Sequence, residues 1–327
     1  RRSSDLSSIN TMDPAYDQYE KAREFYRTHE YLAWIGEDES DEETIRSASE
    51  EALDQSENAN SPANTDSASA KISDQPMIYP MQQLMDYDFL MKHFYNVHTS
   101  TTADRELMNA KNLLSKDLTL EKEDAPQILI YHTHSQESYK NSKKDENVVA
   151  VGQKLTDLLT EKGWNVYHDT TVYDLAVGKL DRSRAYTYAL EGINEILARY
   201  PSIQVVLDIH RDGVGEDVYL KTEIGGQPSA RIMFFNGLSQ TPEGPISYLA
   251  NPFREDNLAF SLKLQLKAEE YYPGFTRKIY LKGLRYNQHL RARSALVEVG
   301  AQTNTFEEAC NAMMPLAELL DMVLQGK

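Results

Sequence analysis

Between residues 128 and 209 the sequence switches period several times, and that alternation limits the fold more than any other feature. ILIY at 128–131 is a short continuous apolar run flanked by Pro126 and a polar segment, which suits a buried strand. A helical pattern follows over 148–162 and a strand over 165–169. Next comes a helix over 182–200, with Leu190, Ile193, Leu197 and Tyr200 on one face and Pro201 closing it, and then a strand over 204–209. This order predicts a mainly parallel sheet with helices on both faces, because each crossover must pass over a face to re-enter the sheet in the same sense. VYLKTEI and RIMFFN then follow with little between them, so the sheet is expected to be mixed. The pattern closes with a long helix over 257–272, a buried strand at SALVEVG, and a terminal helix begun by Thr305 and Glu308 as a capping box. Ahead of ILIY, MQQLMDYDFLMKHFY and TADRELMNAKNLL each read as an amphipathic helix. The expected fold is a single α/β domain over 76–327, with a mixed, largely parallel sheet flanked by helices.

Two segments precede that domain. Asp13 and Pro14 start a helix that runs to Ile35, and its Tyr16, Tyr19 and Tyr26 suit docking on the main domain or on a partner. We treat 1–36 as one N-terminal helical segment. Residues 37–75 carry 12 acidic against 2 basic residues and no Phe, Tyr or Trp. Too little apolar surface is available there to offset chain entropy, so this stretch reads as an extended acidic disordered linker. It also accounts for more than half of the net charge of -17, which leaves the remainder mildly acidic and argues against binding nucleic acid. The single Cys310 excludes an intrachain disulfide and a multi-thiolate metal site. No run of about 18 apolar residues is present to span a bilayer. The start at RRSS suggests a soluble ectodomain from which a targeting or anchoring segment has been removed.

Three apolar runs end on residues that bind metals or move protons: ILIY on HTHSQE, VVLD on IHRDG, and SALV on EVG. In a parallel sheet the carboxyl ends of neighbouring strands share one edge, which would gather His134, Glu137 and His210 with Glu298 close by. Two imidazoles and a carboxylate are a ligand set for catalytic zinc, which keeps a fourth position open to water. The ion lowers the pKa of that water and polarises a carbonyl, and the remaining acid, Glu298, suits proton transfer. Structural readings compete. A strand-end histidine often serves only as a hydrogen-bonding group, and Glu298, set between two valines, can pair with Arg211, Arg285 or Arg291. Asp208, Arg211 and Asp212 either orient His210 or form an ion pair at a turn. Tyr286, Asn287 and Gln288 either line a substrate groove or bond a loop. Asp145 and Glu146 mark a solvated helix start, and His29, His93, His98, His168 and His289 sit in no comparable cluster.

Taken together, ILIYHTHSQESY, VVLDIHRDG, YYPGFTR, LRYNQHL and ALVEVGAQTNTFEEA resemble, in order, the stage II sporulation protein P family of endospore-forming bacteria. The resemblance runs from about Met77 to the carboxyl terminus. It implies an amidase-like catalytic domain and a zinc-dependent N-acetylmuramoyl-L-alanine amidase, with endopeptidase activity on stem-peptide cross-links. It also implies peptidoglycan remodelling during engulfment, beside a lytic transglycosylase and a membrane-anchoring protein. The implied location is extracytoplasmic, tethered to the cell membrane at the sporulation septum through an anchor absent from this chain. Related amidases carry their first metal histidine in a Gly-His-Gly-Gly loop after the first strand. Alignment puts His134 there, and because those glycines are missing His132 stays the alternative. The implied metal set is His134, Glu137 and His210, with Glu146 the rival of Glu137 and Glu298 the catalytic acid. His132, Arg211, Asp212 and Asn287 are expected to support the site or touch substrate. A zinc peptidase and a non-catalytic wall-binding scaffold are the alternative functions.

Overall fold

The computed structural model describes residues 76–327 apart from 177, 178 and 181. The expected helical segment at 1–36 and the linker at 37–75 lie outside the described residues. Seven strands form the main sheet: β1 (Tyr95–Val97), β2 (Ile128–Tyr131), β3 (Val166–His168), β4 (Val205–Asp212), β5 (Ile232–Gly237), β6 (Ile279–Lys282) and β7 (Arg293–Ala301). Their spatial order is β1-β6-β5-β7-β4-β2-β3. Every neighbouring pair is parallel except β5 with β7. The sheet therefore consists of two parallel blocks running in opposite directions, and β2, β4 and β7 end on one edge. The mixed, largely parallel α/β sheet matches the expectation from sequence.

Alternate side chains of each strand go to opposite faces. Ile128, Ile130, Leu207, Ile209 and Val297 share a cluster with the buried faces of α4 (Val148–Glu161), α6 (Arg254–Tyr271) and α8 (Met313–Leu324). On the other face, Leu129, Tyr131 and Val206 meet Ala189, Ile193 and Leu197 of α5 (Arg182–Arg199). Leu190 and Tyr200, expected on that helix's core stripe, are only half-buried.

Local chemistry explains where the elements depart from the expected ones. The segment from Met81 is not one helix but two, α1 (Met81–Leu84) and α2 (Tyr87–Phe94). Asp86 caps the second by accepting from Asp88 and Phe89 backbone N–H groups. Asp104 bonds the N–H groups of Glu106 and Leu107, which holds that stretch in a turn, so α3 is confined to Ala110–Ser115. VYLKTEI is not a strand of the main sheet: Lys221–Ile224 pairs with Gln227–Ala230 in a separate hairpin. The Thr305 capping box is present, but the terminal helix is divided into α7 (Phe306–Asn311) and α8. Strands β1 and β6, three and four residues long, were not anticipated. Among the described residues no helix is long and apolar enough to cross a membrane.

Candidate metal centre

β2 ends at Tyr131, and the chain curls through a turn at 133–136 over the sheet edge. Asp208 on β4 fixes this turn. Its Oδ1 accepts from the Thr133 backbone N–H at 2.9 Å and its Oδ2 from the Thr133 hydroxyl at 2.6 Å. A second buried carboxylate, Asp174, accepts from the Ser135 hydroxyl at 2.7 Å and the Gln136 N–H at 3.1 Å. The loop so pinned brings His134 and Glu137 to His210 at the end of β4.

The three side chains form a group able to hold a metal ion, with one ligand atom from each lying within 4.8 Å of the others. Glu137 Oε1 is 3.5 Å from His134 Nδ1, and its Oε2 is 3.5 Å from His210 Nδ1. Those separations are long for hydrogen bonds. They are close to the roughly 3.3 Å kept by two ligands each about 2.0 Å from one tetrahedral ion. His210 Nε2 lies 2.8 Å from Asp208 Oδ1 without an aligned hydrogen bond, the carboxylate-behind-imidazole arrangement common at metal sites. Geometry and donor set thus fit a divalent ion.

The charges are strongly linked. Burial would raise the Glu137 carboxyl, but the His134 and His210 imidazoles that face it outweigh burial and hold the group well below the carboxylate range. Burial would lower His210, but Asp208 and then Glu137 hold it well above the usual imidazole value. Glu298 is the cross-strand neighbour of His210. It is half-buried, and its Oε2 atom is buried without a partner. Burial, with the charges of Asp212 and Glu137, pushes it up to about 8 against the opposing influence of His210 and Arg277. Just beyond it the β7–β4 register slips by one residue. Gly300 in this bulge has φ +62, and a Cβ there would stand 2.6 Å from Asn304 Oδ1, so only glycine fits.

The remaining sequence candidates are placed as follows. His132 is not in the cluster. It lies fully buried beneath α4, with Nδ1 3.0 Å from the Ile209 carbonyl and Nε2 2.9 Å from His168 Nε2. Glu146 is tied to Lys143 at the solvated start of α4. The Arg211 side chain turns away to the Ser138 and Asp212 carbonyls, while its backbone N–H donates to Glu137 Oε2 at 3.0 Å. Asp212 is paired with Arg277 at 2.5 Å rather than with the cluster. Asn287 is buried, with φ 54, and donates to the Tyr186 carbonyl on α5 at 2.9 Å. Gln288 bonds the backbone of Phe235 and Gly237, so this stretch braces a loop. Arg291 donates to the Ile203 and Leu290 carbonyls instead of pairing with Glu298.

Three neighbours escaped the sequence reading. Tyr186 meets His134 edge-on at 5.4 Å and stacks over His210 at 6.3 Å. Arg182, one helical turn earlier, puts its guanidinium 3.7 Å from Glu137 Oε1. His168 partners His132. Tyr186 and Arg182 are four apart, a spacing that marks a shared helix face but says nothing of what the face overlooks.

Fold and site together define an α/β protein with a two-histidine, one-carboxylate cluster, able to hold a divalent ion, at the carboxyl edge of its sheet. A family model described as Stage II sporulation protein P matches residues 8–321, and the chain belongs to that family. Stage II sporulation protein P of Bacillus subtilis (strain 168) is 28% identical over 214 residues, 60% of this chain and 50% of that protein, so the match spans about half the relative's length. Among solved structures, the apo N-acetylmuramyl-L-alanine amidase of Mycobacterium abscessus is 15% identical with a TM-score of 0.31, over 62% of this chain and 97% of that one. A Campylobacter jejuni 5'-methylthioadenosine/S-adenosyl homocysteine nucleosidase reaches 0.30 at 9% identity, over 62% and 100%. Likeness at this level does not distinguish one activity from another.

Proposed function

We propose that this chain is a zinc-dependent peptidoglycan hydrolase that cleaves the N-acetylmuramoyl-L-alanine amide and, in addition, stem-peptide cross-links. The observation that carries the reading is the meeting of His134, Glu137 and His210 with the uncommitted acid Glu298 at one sheet edge. The family, and the five segments that resemble it, supply the substrate class. His134, Glu137 and His210 would hold the ion, which when bound supplies a Lewis acid and a water acidic enough to attack an amide near neutral pH.

The protein's own groups do the rest. Asp208 steadies the His210 imidazole, and the Arg211 N–H steadies Glu137. Tyr186 covers the two imidazoles and limits water beside them. Glu298, which burial keeps mostly protonated in the metal-free protein, would give up that proton beside a bound cation, and its Oε2 is then suited to take a proton from the attacking water and return it to the leaving nitrogen. The proposal extends to engulfment during sporulation, at the outer face of the cell membrane, with a lytic transglycosylase and a membrane-anchoring protein as partners.

The test is metal analysis together with hydrolysis of defined muropeptides by the wild type, His210→Ala and Glu298→Gln. The wild type is expected to bind about one zinc and release stem peptide, His210→Ala to lose both properties, and Glu298→Gln to keep only the metal. Zinc binding without turnover in the wild type would leave a wall-binding scaffold. Cross-link cleavage without release of whole stems would leave a peptidase.

A further inference from the structure

We propose that Arg182 is a specificity residue that binds a carboxylate on the leaving peptide, next to the scissile amide. The inference rests on the hydrolase reading above and deepens it by naming the substrate feature the site selects. Arg182 opens α5, and its contact with Glu137 Oε1 at 3.7 Å is longer than a hydrogen bond. Glu137 has no need of it, since its oxygens already face two imidazoles and the Arg211 N–H. The Arg182 side chain is 41% exposed, whereas that of Glu137 is 5% exposed, so the arginine stands at the mouth of the cluster and not within its floor. Nearby arginines are committed elsewhere: Arg211 to backbone carbonyls and Arg277 to Asp212.

Two features keep Arg182 at this mouth. Tyr186, one turn further along α5, lies against His134 and His210, so this face of the helix overlooks the ligands. Upstream, Asp174 ties the approach to α5 onto the loop that carries His134 and Glu137. A divalent ion held by Glu137 would repel a guanidinium this close, since both are positive and the site is partly shielded from water. The side chain would then turn outward with its planar fork free for an anion, a geometry that matches a carboxylate in two parallel hydrogen bonds. A peptide stem that bears a carboxylate one residue beyond the scissile amide carries such an anion within one dipeptide's length of a carbonyl held at the ligands.

The test measures equilibrium binding to the zinc-loaded Glu298→Gln protein, whose turnover is expected to be slow enough for its ligand to persist through the measurement. The probes are N-acetylmuramoyl-L-alanyl-D-isoglutamate and its isoglutamine counterpart, which differ by one carboxylate. Adding Arg182→Gln is expected to weaken the isoglutamate ligand about tenfold or more and to leave the isoglutamine ligand unchanged. Arg182→Lys should recover part of the loss, because it restores the charge without the fork. Equal weakening of both ligands, no weakening of either, failure of the parent protein to bind either one, or loss of zinc from Arg182→Gln would overturn the proposal. Loss of zinc would show that the arginine only braces Glu137. If the carboxylate preference holds while the wild type turns nothing over, the hydrolase reading falls, and Arg182 is left as the carboxylate-recognising residue of a wall-binding site.

Discussion

The motif His132-Thr133-His134 sends two identical side chains, two residues apart, to opposite sides of one sheet. His134 joins His210 on the α5 side, against Glu137 and with Asp208 behind. His132 goes under α4 and meets His168, an imidazole in turn bonded to the neutral Gln153. The carboxylates make the difference: His210 is held well above the usual value, whereas burial, then the His168 charge, push His132 down to about 4. The α5-side cluster has the donor set to hold an ion, whereas burial holds His132 towards its neutral form. A histidine at a strand end acquires its chemistry from the face it enters and from the acids already buried there.

The sharpest way to break this contrast is to exchange the two histidines' fates by mutation. His210→Ala should abolish stoichiometric zinc, while His132→Asn should keep it, as read by metal analysis of purified protein. Next, Glu298→Gln should retain zinc but lower muropeptide turnover by roughly 10²–10⁴, the range for losing a general acid–base group. Equal zinc loss in His132→Asn and His210→Ala would merge the two pairs into one site.

Stability against pH sharpens the comparison further. The unfolded chain protonates His132 near 6.5, but the folded chain refuses that proton until about pH 4. Its contribution therefore favours the native state above pH 6.5 and is lost as pH falls from 6.5 to 4, by on the order of 3 kcal/mol. His210 has the opposite sign in metal-free protein: its stabilisation is complete below pH 6.5 and is lost as pH rises through its elevated native value. Denaturation of the metal-free wild type and His132→Asn across pH 4–8 should give a shallower acid slope for the variant. An unchanged slope would mean that His132 does not stay neutral.

Two smaller effects complete the series. Gly152 on α4 would place a Cβ 2.5 Å from His132 Cε1, so Gly152→Ala should cost about 1–3 kcal/mol by overpacking and leave zinc binding intact. Loss of zinc there would show that the two faces are coupled through His132 and the Ile209 carbonyl. Glu146→Gln should change neither stability nor metal content measurably, since the carboxylate meets only Lys143 in solvent.

Much of this was legible in the residues alone. The continuous apolar runs ILIY and VVL, the helical spacing of α4 to α6 and the Thr305 capping box are local patterns, set by backbone geometry over a few neighbours. The alternation of strands with helices put the carboxyl ends of β2, β4 and β7 on one edge, which is why His134, Glu137, His210 and Glu298 could be grouped in advance. Tertiary structure alone placed His134 and Glu137, and not His132 and Glu146, beside His210. It also gave Asp208, Tyr186 and Arg182 their neighbours. Those outcomes depend on which helix covers each face and where a loop is pinned, contacts that join residues some 75 positions apart, such as Thr133 with Asp208. Local periodicity holds no information about partners that distant, because burial and charge are properties of the packed whole.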